Sequence, residues 1–432
     1  MSALYSLLLL LARPLVHVRL WWRARKAPAY GERVAERFGH LPEHIPRGVV
    51  WLHTVSAGET IAAAPLIRAL VQQLNAAATS PQVLVTTMTP TGSDEVKRLF
   101  GEGVAHCYAP YDFKDAVQRF VARVEPSALV LMETEIWPNM IRLTADRNIP
   151  VALLNARLSA RSARGYARVS GLISPVLRRV SWIACQYAAD AERFLALGAT
   201  AEQLQVTGSV KFDVGEHATN AEQREALATL QVGAALDERP VWIAGSTHAG
   251  EDEIVLAAHR GLLKMFPDLA LLLVPRHPER FDSVAELASG QLATVRLSNL
   301  RTSAGSGHTE PPAVVVVDVM GLLRALYGTA QVAFIGGSLV DRGGHNPIEA
   351  AAAGLPMVMG PGRYNFVDVC ELFAGAGCLH TAADALQLQN HVAGLLNDEA
   401  TRVAQGQRAN ALVAANAGAT SRLLDRLTSL VE

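Results

Sequence analysis

From residue 48 onward, short apolar runs alternate with longer stretches whose apolar positions recur every three or four residues. The runs GVVWLH, QVLVTT, GVAHCYA, ALVLME, IPVALLN and SWIAC each precede such a periodic stretch. Runs of this length and continuity read as strands buried on both faces, and the stretches between them as amphipathic helices. Strand followed by helix, repeated, predicts a parallel α/β sheet covered by helices on both sides. After Lys211 the pattern gives way to the polar stretch DVGEHATNAEQ, suited to a linker. A second series then begins with RPVWIAGS, LALLLVP, LATVRL, AVVVVD, QVAFIGG and LPMVMG. Within it, SNLRTSAGSGHTEPP, residues 298–312, predicts a polar loop, and the sequence is helical from about residue 382. The pattern therefore predicts two α/β domains of similar size with a cleft between them, residues 26–213 and 214–432, preceded by a separate segment 1–25.

That leading segment has a different pattern. MSALYSLLLLLA carries no charge, and Arg13, Pro14, His17 and Arg19 interrupt the apolar run before Trp21 and Trp22. Seven Lys/Arg between residues 13 and 37 face only Glu32 and Glu36. No basic stretch precedes the run and no small-residue cleavage site follows it, so a secretory signal is not expected. Aromatic residues beside a cationic cluster suit the headgroup zone of an anionic leaflet. The segment predicts a membrane anchor, spanning or interfacial, with the main body on the cytoplasmic side; an ordinary buried first helix is the alternative.

Composition narrows the function. The chain has 432 residues with a net charge of -1, which excludes a generally basic nucleic-acid binder. Half the residues are hydrophobic and 18% are charged, which excludes disorder. Four cysteines, none in a CxxC pair, fit a reducing compartment and neither a zinc site nor a disulfide framework. The sequence also lacks GxGxxG, GxxxxGK[ST], HExxH, GxSxG and the DxD pair that many metal-dependent sugar transferases use.

What remains is a set of polar clusters at predicted strand ends, where open α/β sheets bind ligands. In WLHTVSAGETIAAAPLIRAL, Glu59 reads either as a general base or as a first-turn acid complementing a helix dipole. In LVLMETEIWPNMI, Glu133 and Glu135 lie just past a strand beside Trp137, either as site acids or as caps. Residues 147–189 contain seven arginines and no Asp or Glu, and Arg157, Arg161, Arg164 and Arg168 form one face if the stretch is helical. Such a face suits phosphate groups or anionic lipid. Lys211 in GSVKFD sits at the domain boundary, placed to meet an anionic leaving group. In the second domain AGSTHAGE, VPRHPERF, DVMGLL and FIGGSLVDRGGHNPIEAAAAGLPMVMGP all follow predicted strands. Glycine pairs 336–337 and 343–344 allow close backbone approach to a phosphate, and a helix is expected to open near Asn346 with Glu349 in its first turn. Together these predict a nucleotide pocket.

Taken in order, SxGE, ETEIWPN, NARLSxRS, GSVKFD, STHxGE, PRHPERF and GGSLVxxGGHN resemble the 3-deoxy-D-manno-octulosonic acid (Kdo) transferases of Gram-negative bacteria, over nearly the whole chain. The resemblance implies a GT-B glycosyltransferase fold, two Rossmann-like domains facing a central cleft, behind an N-terminal membrane-anchoring helix. It implies inverting, metal-independent transfer of Kdo from CMP-Kdo to the tetra-acylated lipid A precursor (lipid IVA) at the cytoplasmic face of the inner membrane, in lipopolysaccharide synthesis. By motif, Glu59 matches the family's proton acceptor, and Glu135 and Lys211 match positions of transition-state stabilisation. Pro275, Arg276, Met320, Gly321, Leu322, Asn346, Pro347, Ile348 and Glu349 match CMP-contacting positions. The sequence departs from the family pattern at Ala57 and Ala350, both conservative for backbone contacts. No cofactor, metal or nucleic-acid partner is expected; the partners expected are CMP-Kdo, the lipid A precursor and a lipid surface. The alternative is another nucleotide-sugar enzyme of the same fold, such as a UDP-sugar lipid glycosyltransferase or an epimerase.

Overall fold

The computed structural model describes residues 2–75, 82–215, 236, 239–302 and 311–431. Within them the chain forms two compact α/β units, one of Met1–Asp213 with Gly418–Glu432, the other of Val214–Ala417. The expected second domain 214–432 is thereby corrected, because its last helix, Ala419–Val431, belongs to the first unit. Asp213 is the reason at the level of hydrogen bonds. Its carboxylate accepts the backbone N–H groups of Gly418 at 2.7 Å, Ala419 at 3.2 Å and Thr420, closing the open amides at that helix's start. The leading segment forms the expected helix, Ser2–Lys26, and is grouped with the first unit.

The first unit holds seven parallel strands, β1 (Val50–His53), β2 (Val83–Thr87), β3 (Ala105–Tyr108), β4 (Ala128–Met132), β5 (Val151–Ala156), β6 (Trp182–Cys185) and β7 (Leu204–Val206). Their order across the sheet is β3-β2-β1-β4-β5-β6-β7. Each of the central strands is buried on both faces, as parallel sheets require. Alternate residues feed two cores. Trp51, Leu129, Leu131 and Leu153 meet Val117 and Phe120 of the helix Lys114–Val124. Val50, Leu52, Val130 and Leu154 meet Leu66, Ile67 and Leu70 of the helix Ala57–Asn75, with Leu423 and Leu427 of the terminal helix.

The second unit repeats the plan with β8 (Val241–Thr247), β9 (Ala270–Pro275), β10 (Thr294–Arg296), β11 (Val314–Val316), β12 (Val332–Ile335), β13 (Met357–Met359) and β14 (Leu379–Thr381). Its sheet is also parallel, in the order β10-β11-β9-β8-β12-β13-β14. Trp242, Leu271, Val316 and Phe334 pack against Val255 and Leu262 of the helix Asp252–Leu263 and Leu388 and Val392 of the helix Ala385–Asn397. Twelve strands coincide with the predicted runs, β5 and β8 each extending one residue beyond its run; β7 and β14, three-residue edge strands, match none. Most of the predicted linker, from residue 216, and residues 303–310 of the predicted loop lie outside the described residues.

In both sheets the strands following the first lie on one side of it, in the second sheet with β11 inserted between β9 and the edge strand β10, and the chain then returns to the other side. The reversal falls between β1 and β4 in the first unit and between β8 and β12 in the second. Crevices at the carboxyl ends of strands at such a reversal are where open α/β sheets hold ligands.

Candidate active site

The candidate residues of the first unit gather at its reversal. β1 and β4 pair in register, Val50 with Ala128 through His53 with Leu131, so the segments leaving them start side by side. Glu59 lies in the first turn of the helix Ala57–Asn75. Its carboxylate accepts the Val55 N–H at 2.7 Å and the Ser56 hydroxyl at 3.1 Å. Burial pushes its pKa up to about 7, opposed by the Val55 N–H and reinforced by the negative charges of Glu135 and Glu133. Glu135 is also raised, chiefly by burial, while the Trp137 indole N–H bonded to it at 2.6 Å works the other way.

Glu133 and Lys211 form the second part of this cluster. Lys211 Nζ stands 3.8 Å from Glu133 Oε1. Glu133 directly follows β4 with φ 59°, a left-handed backbone unusual for a side-chain-bearing residue. At the end of β5, Asn155 is likewise left-handed, with φ 53°. Its carbonyl accepts from the Gln186 amide at 2.9 Å, and its Oδ1 accepts the Val210 N–H at 3.2 Å. Asn155 therefore fixes the short turn Val210–Gly215 that carries Lys211. Nothing in its sequence context other than its place in NARLS marked Asn155. Local strain of this kind persists where surrounding contacts impose it, and it concentrates at functional sites.

The arginine face needs correction. The helix here runs only Ala160–Ala167, capped by Ser159, whose hydroxyl accepts the Ser162 N–H at 3.1 Å. Arg161 and Arg164 lie on it and Arg168 closes its end, all exposed, but Arg157 precedes it next to β5. The Arg157 carbonyl accepts the Thr134 hydroxyl instead, tying the β5 end to the ETEIW segment. Four-residue spacing placed Arg157 on the face only if the helix reached back past Leu158, and the Ser159 cap stops it.

In the second unit Pro275 ends β9 and Arg276 follows it, its N–H bonded to the Thr247 carbonyl at 3.0 Å. Met320 and Gly321 are exposed, Gly321 with φ 85°, and Leu322 is buried. The expected helix at Asn346 begins at Ile348 and spans five residues; Asn346 Oδ1 accepts the Ile348 N–H at 3.0 Å and Pro347 precedes the first turn. Glu349 is raised by burial, while the positive charges of Arg324 and Arg276 lower it, which places both guanidinium groups within its electrostatic reach. The loop after β12 is held from below by Glu251, fully buried. Its carboxylate accepts the N–H groups of His248 at 2.9 Å, Gly337 at 2.6 Å, Ser338 at 3.0 Å and Leu339 at 2.9 Å. A Cβ on Gly336 would stand 2.4 Å from the Ser246 carbonyl oxygen, so the β8 and β12 ends approach as only glycine permits. His248 and His345 face each other across these loops, Nε2 to Nε2 at 2.8 Å. In the sequence Glu251 stands out only as the last residue of AGSTHAGE.

Chemically, the first unit offers a half-buried carboxylate that ionises near neutrality inside an acidic cluster, one member of which, Glu133, has the Lys211 ammonium against it. The second offers exposed Arg276 and glycine-rich turns at strand ends, a setting for an anionic ligand.

The family model described as 3-Deoxy-D-manno-octulosonic-acid transferase (kdotransferase) matches residues 32–214. A 3-deoxy-D-manno-octulosonic acid transferase of Haemophilus influenzae is 39% identical over 432 residues, covering 99% of this chain and 98% of the relative. One from Bordetella pertussis is 38% identical over 442 residues, covering 98% of each. Among solved structures, a UDP-GlcNAc 2-epimerase of Neisseria meningitidis bound to UDP-GlcNAc aligns with 88% of this chain and 99% of its own, at TM-score 0.57 and 14% identity. That last likeness is one of fold.

Proposed function

The chain belongs to the 3-deoxy-D-manno-octulosonic acid transferase family of glycosyltransferases, and we propose that it transfers Kdo from CMP-Kdo to the lipid A precursor with inversion, Glu59 acting as the base. The observation that carries this reading is the state of Glu59, a carboxylate held by Val55 and Ser56 whose pKa is pushed up to about 7. A base serves best when its pKa lies near the working pH, because it is then both ionised and avid for a proton.

In this scheme the acceptor hydroxyl gives its proton to Glu59 as its oxygen bonds to the anomeric carbon of Kdo. The bond from that carbon to the CMP phosphate breaks, and its electron pair leaves with CMP. Attack opposite the leaving group inverts the centre in one step. Positive charge develops at the anomeric carbon and negative charge on the phosphate. Lys211 and Arg276 offset the phosphate charge, the role a divalent cation has in DxD transferases. Glu135, fixed by Trp137, stabilises the cationic carbon or keeps Glu59 basic through its own charge. Pro275, Arg276, Met320–Leu322 and Asn346–Glu349 contact CMP, and exposed Arg161, Arg164 and Arg168, with Arg157 before them, receive the acceptor's phosphates. The helix Ser2–Lys26 is long and apolar enough to engage a membrane, and we assign the chain to the cytoplasmic face of the inner membrane, where it meets its lipid acceptor.

The test is CMP release from CMP-Kdo with and without tetra-acylated lipid A precursor, in EDTA, with the product weighed by mass spectrometry. Acceptor-dependent release and a Kdo-lipid product are expected. Release that needs no acceptor, or that stops with the chelator, would overturn the acceptor assignment or the metal-independent scheme respectively.

A further inference from the structure

The helix Ser2–Lys26 presents two different faces. Along one, Tyr5 donates its hydroxyl to Asp112 Oδ2 at 2.9 Å, and Ser6 donates to Asn139 Oδ1 at 2.9 Å. Further along, Arg13 donates to Asp115 Oδ2 at 3.1 Å, and the His17 ring stacks on Phe38 with centroids 4.5 Å apart. Leu9 and Val16 pack with Phe38, Phe113 and Ala116, and Leu20 is buried. The contacts run from residue 5 to residue 20, about 22 Å of helix at 1.5 Å per residue, so the helix lies along the unit rather than projecting from it. On the other side, Leu4, Leu8, Leu11, Leu15, Val18 and Trp22 recur at spacings of four and three residues, each more than half exposed. They form one continuous stripe, and Leu7, Leu10 and Trp21, also more than half exposed, widen it on one side.

The ends of the helix say what covers that stripe. Residues 2–31 contain no Asp or Glu, and Arg19, Arg23, Arg25 and Lys26 cluster toward the helix's carboxyl end. The Arg25 guanidinium lies 3.8 Å over the Trp21 ring and Lys26 Nζ lies 4.2 Å over that of Trp22. Apolar stripe, indole rings and adjoining cations are the features that seat a helix at the boundary between acyl chains and anionic headgroups. A spanning helix would instead need about 20 residues inside a hydrocarbon layer about 30 Å thick. Residues 3–22 would fill that layer, drawing Tyr5, Ser6, Arg13 and His17 away from Asp112, Asn139, Asp115 and Phe38.

Resting on the membrane assignment of the proposed function, we infer that this helix does not cross the bilayer: it lies in the plane of an anionic leaflet, clamped to the first unit by its Tyr5–Arg13–His17 side and buried in lipid by the Leu4–Trp22 stripe.

Nitroxide labels distinguish the arrangements. The chain's four native cysteines are all buried, so cysteines introduced singly by L4C, L8C, L11C, L15C and V18C in the full-length chain can be labelled selectively. The protein is bound to vesicles of phosphatidylethanolamine and phosphatidylglycerol, and depth is read from accessibility to oxygen against a nickel chelate. An in-plane helix gives all five labels one shallow depth. A depth that peaks near residue 11 and falls toward both ends would overturn the inference while leaving membrane binding intact. No lipid exposure at any position would overturn the membrane assignment itself. As a second reading, R13C/D115C should be joined by a short bifunctional thiol reagent on the vesicles; failure to join on vesicles, with joining in detergent, would show that the helix leaves the unit to enter the bilayer.

Discussion

The Val55 N–H points at Glu59 Oε2 across 2.7 Å, so the loop residue two positions past β1 holds the carboxylate in the first turn of the next helix. That bond favours the ionised form, while burial and the charges of Glu135 and Glu133 favour the protonated one, leaving Glu59 at about 7. Because the base must be ionised to accept a proton, kcat/KM for transfer rises with pH and levels off above an apparent pKa near 7. Glu135→Gln removes one of the charges that raise Glu59, so the rising limb moves to lower pH. A pH–rate profile of the two enzymes checks both the midpoint and the direction.

The same group makes a prediction about stability. Its folded pKa lies above the value of about 4.5 for an unperturbed glutamate. Between those values the folded protein binds more protons than the unfolded one, so this group's contribution weakens as pH rises from about 4.5 to about 7. Glu59→Gln carries no charge to desolvate. Its melting temperature relative to the parent therefore climbs across that window, reaching a few degrees at pH 8 and little at pH 4, as thermal unfolding in matched buffers will read.

Glu251 anchors four backbone amides of the loops after β8 and β12. Glu251→Gln turns an N–H donor toward amides that need an acceptor. Unmet buried donors cost about 1–3 kcal/mol each before relaxation, so the unit loses about 2–4 kcal/mol. Donor affinity drops at least about tenfold as the glycine turns lose their shape. Denaturant unfolding and a CMP-Kdo titration measure the two effects.

Asp213 closes the start of the terminal helix through Gly418, Ala419 and Thr420. Asp213→Ala costs about 2–3 kcal/mol, more than an ordinary exposed cap because the carboxylate is buried and takes three amides. Hydrogen exchange should show the loss concentrated in residues 419–431; protection unchanged there would contradict the role.

How much of this was legible beforehand follows from where the information resides. The central strands were, because burial on both faces writes each as an unbroken apolar run such as Ala128–Met132. β7 and β14 were not: Leu204–Val206 and Leu379–Thr381 are edge segments of three residues, each with polar or exposed positions, too short to carry a period. The motif GSVKFD drew attention to Lys211 by its charge, while Asp213 joins residues more than 200 positions away, a contact no local pattern encodes. Asn155 and Glu251 escaped for the same reason, since each acts on backbone amides brought to it by the fold. The arginine spacing misled at Arg157 because a cap, Ser159, overrides periodicity. The acids at the β1 and β4 ends were legible as candidates, and the structure adds that the two strands are neighbours in register.

The central claim is that Glu59 takes the proton from the acceptor. Single-turnover transfer from CMP-Kdo to lipid A precursor by Glu59→Gln, alongside CMP-Kdo binding to the same preparation, tests it most directly. The account predicts a loss of about 10²–10⁴-fold in the transfer rate with donor affinity unchanged. Transfer within a few-fold of the parent would contradict it and assign the proton to another group.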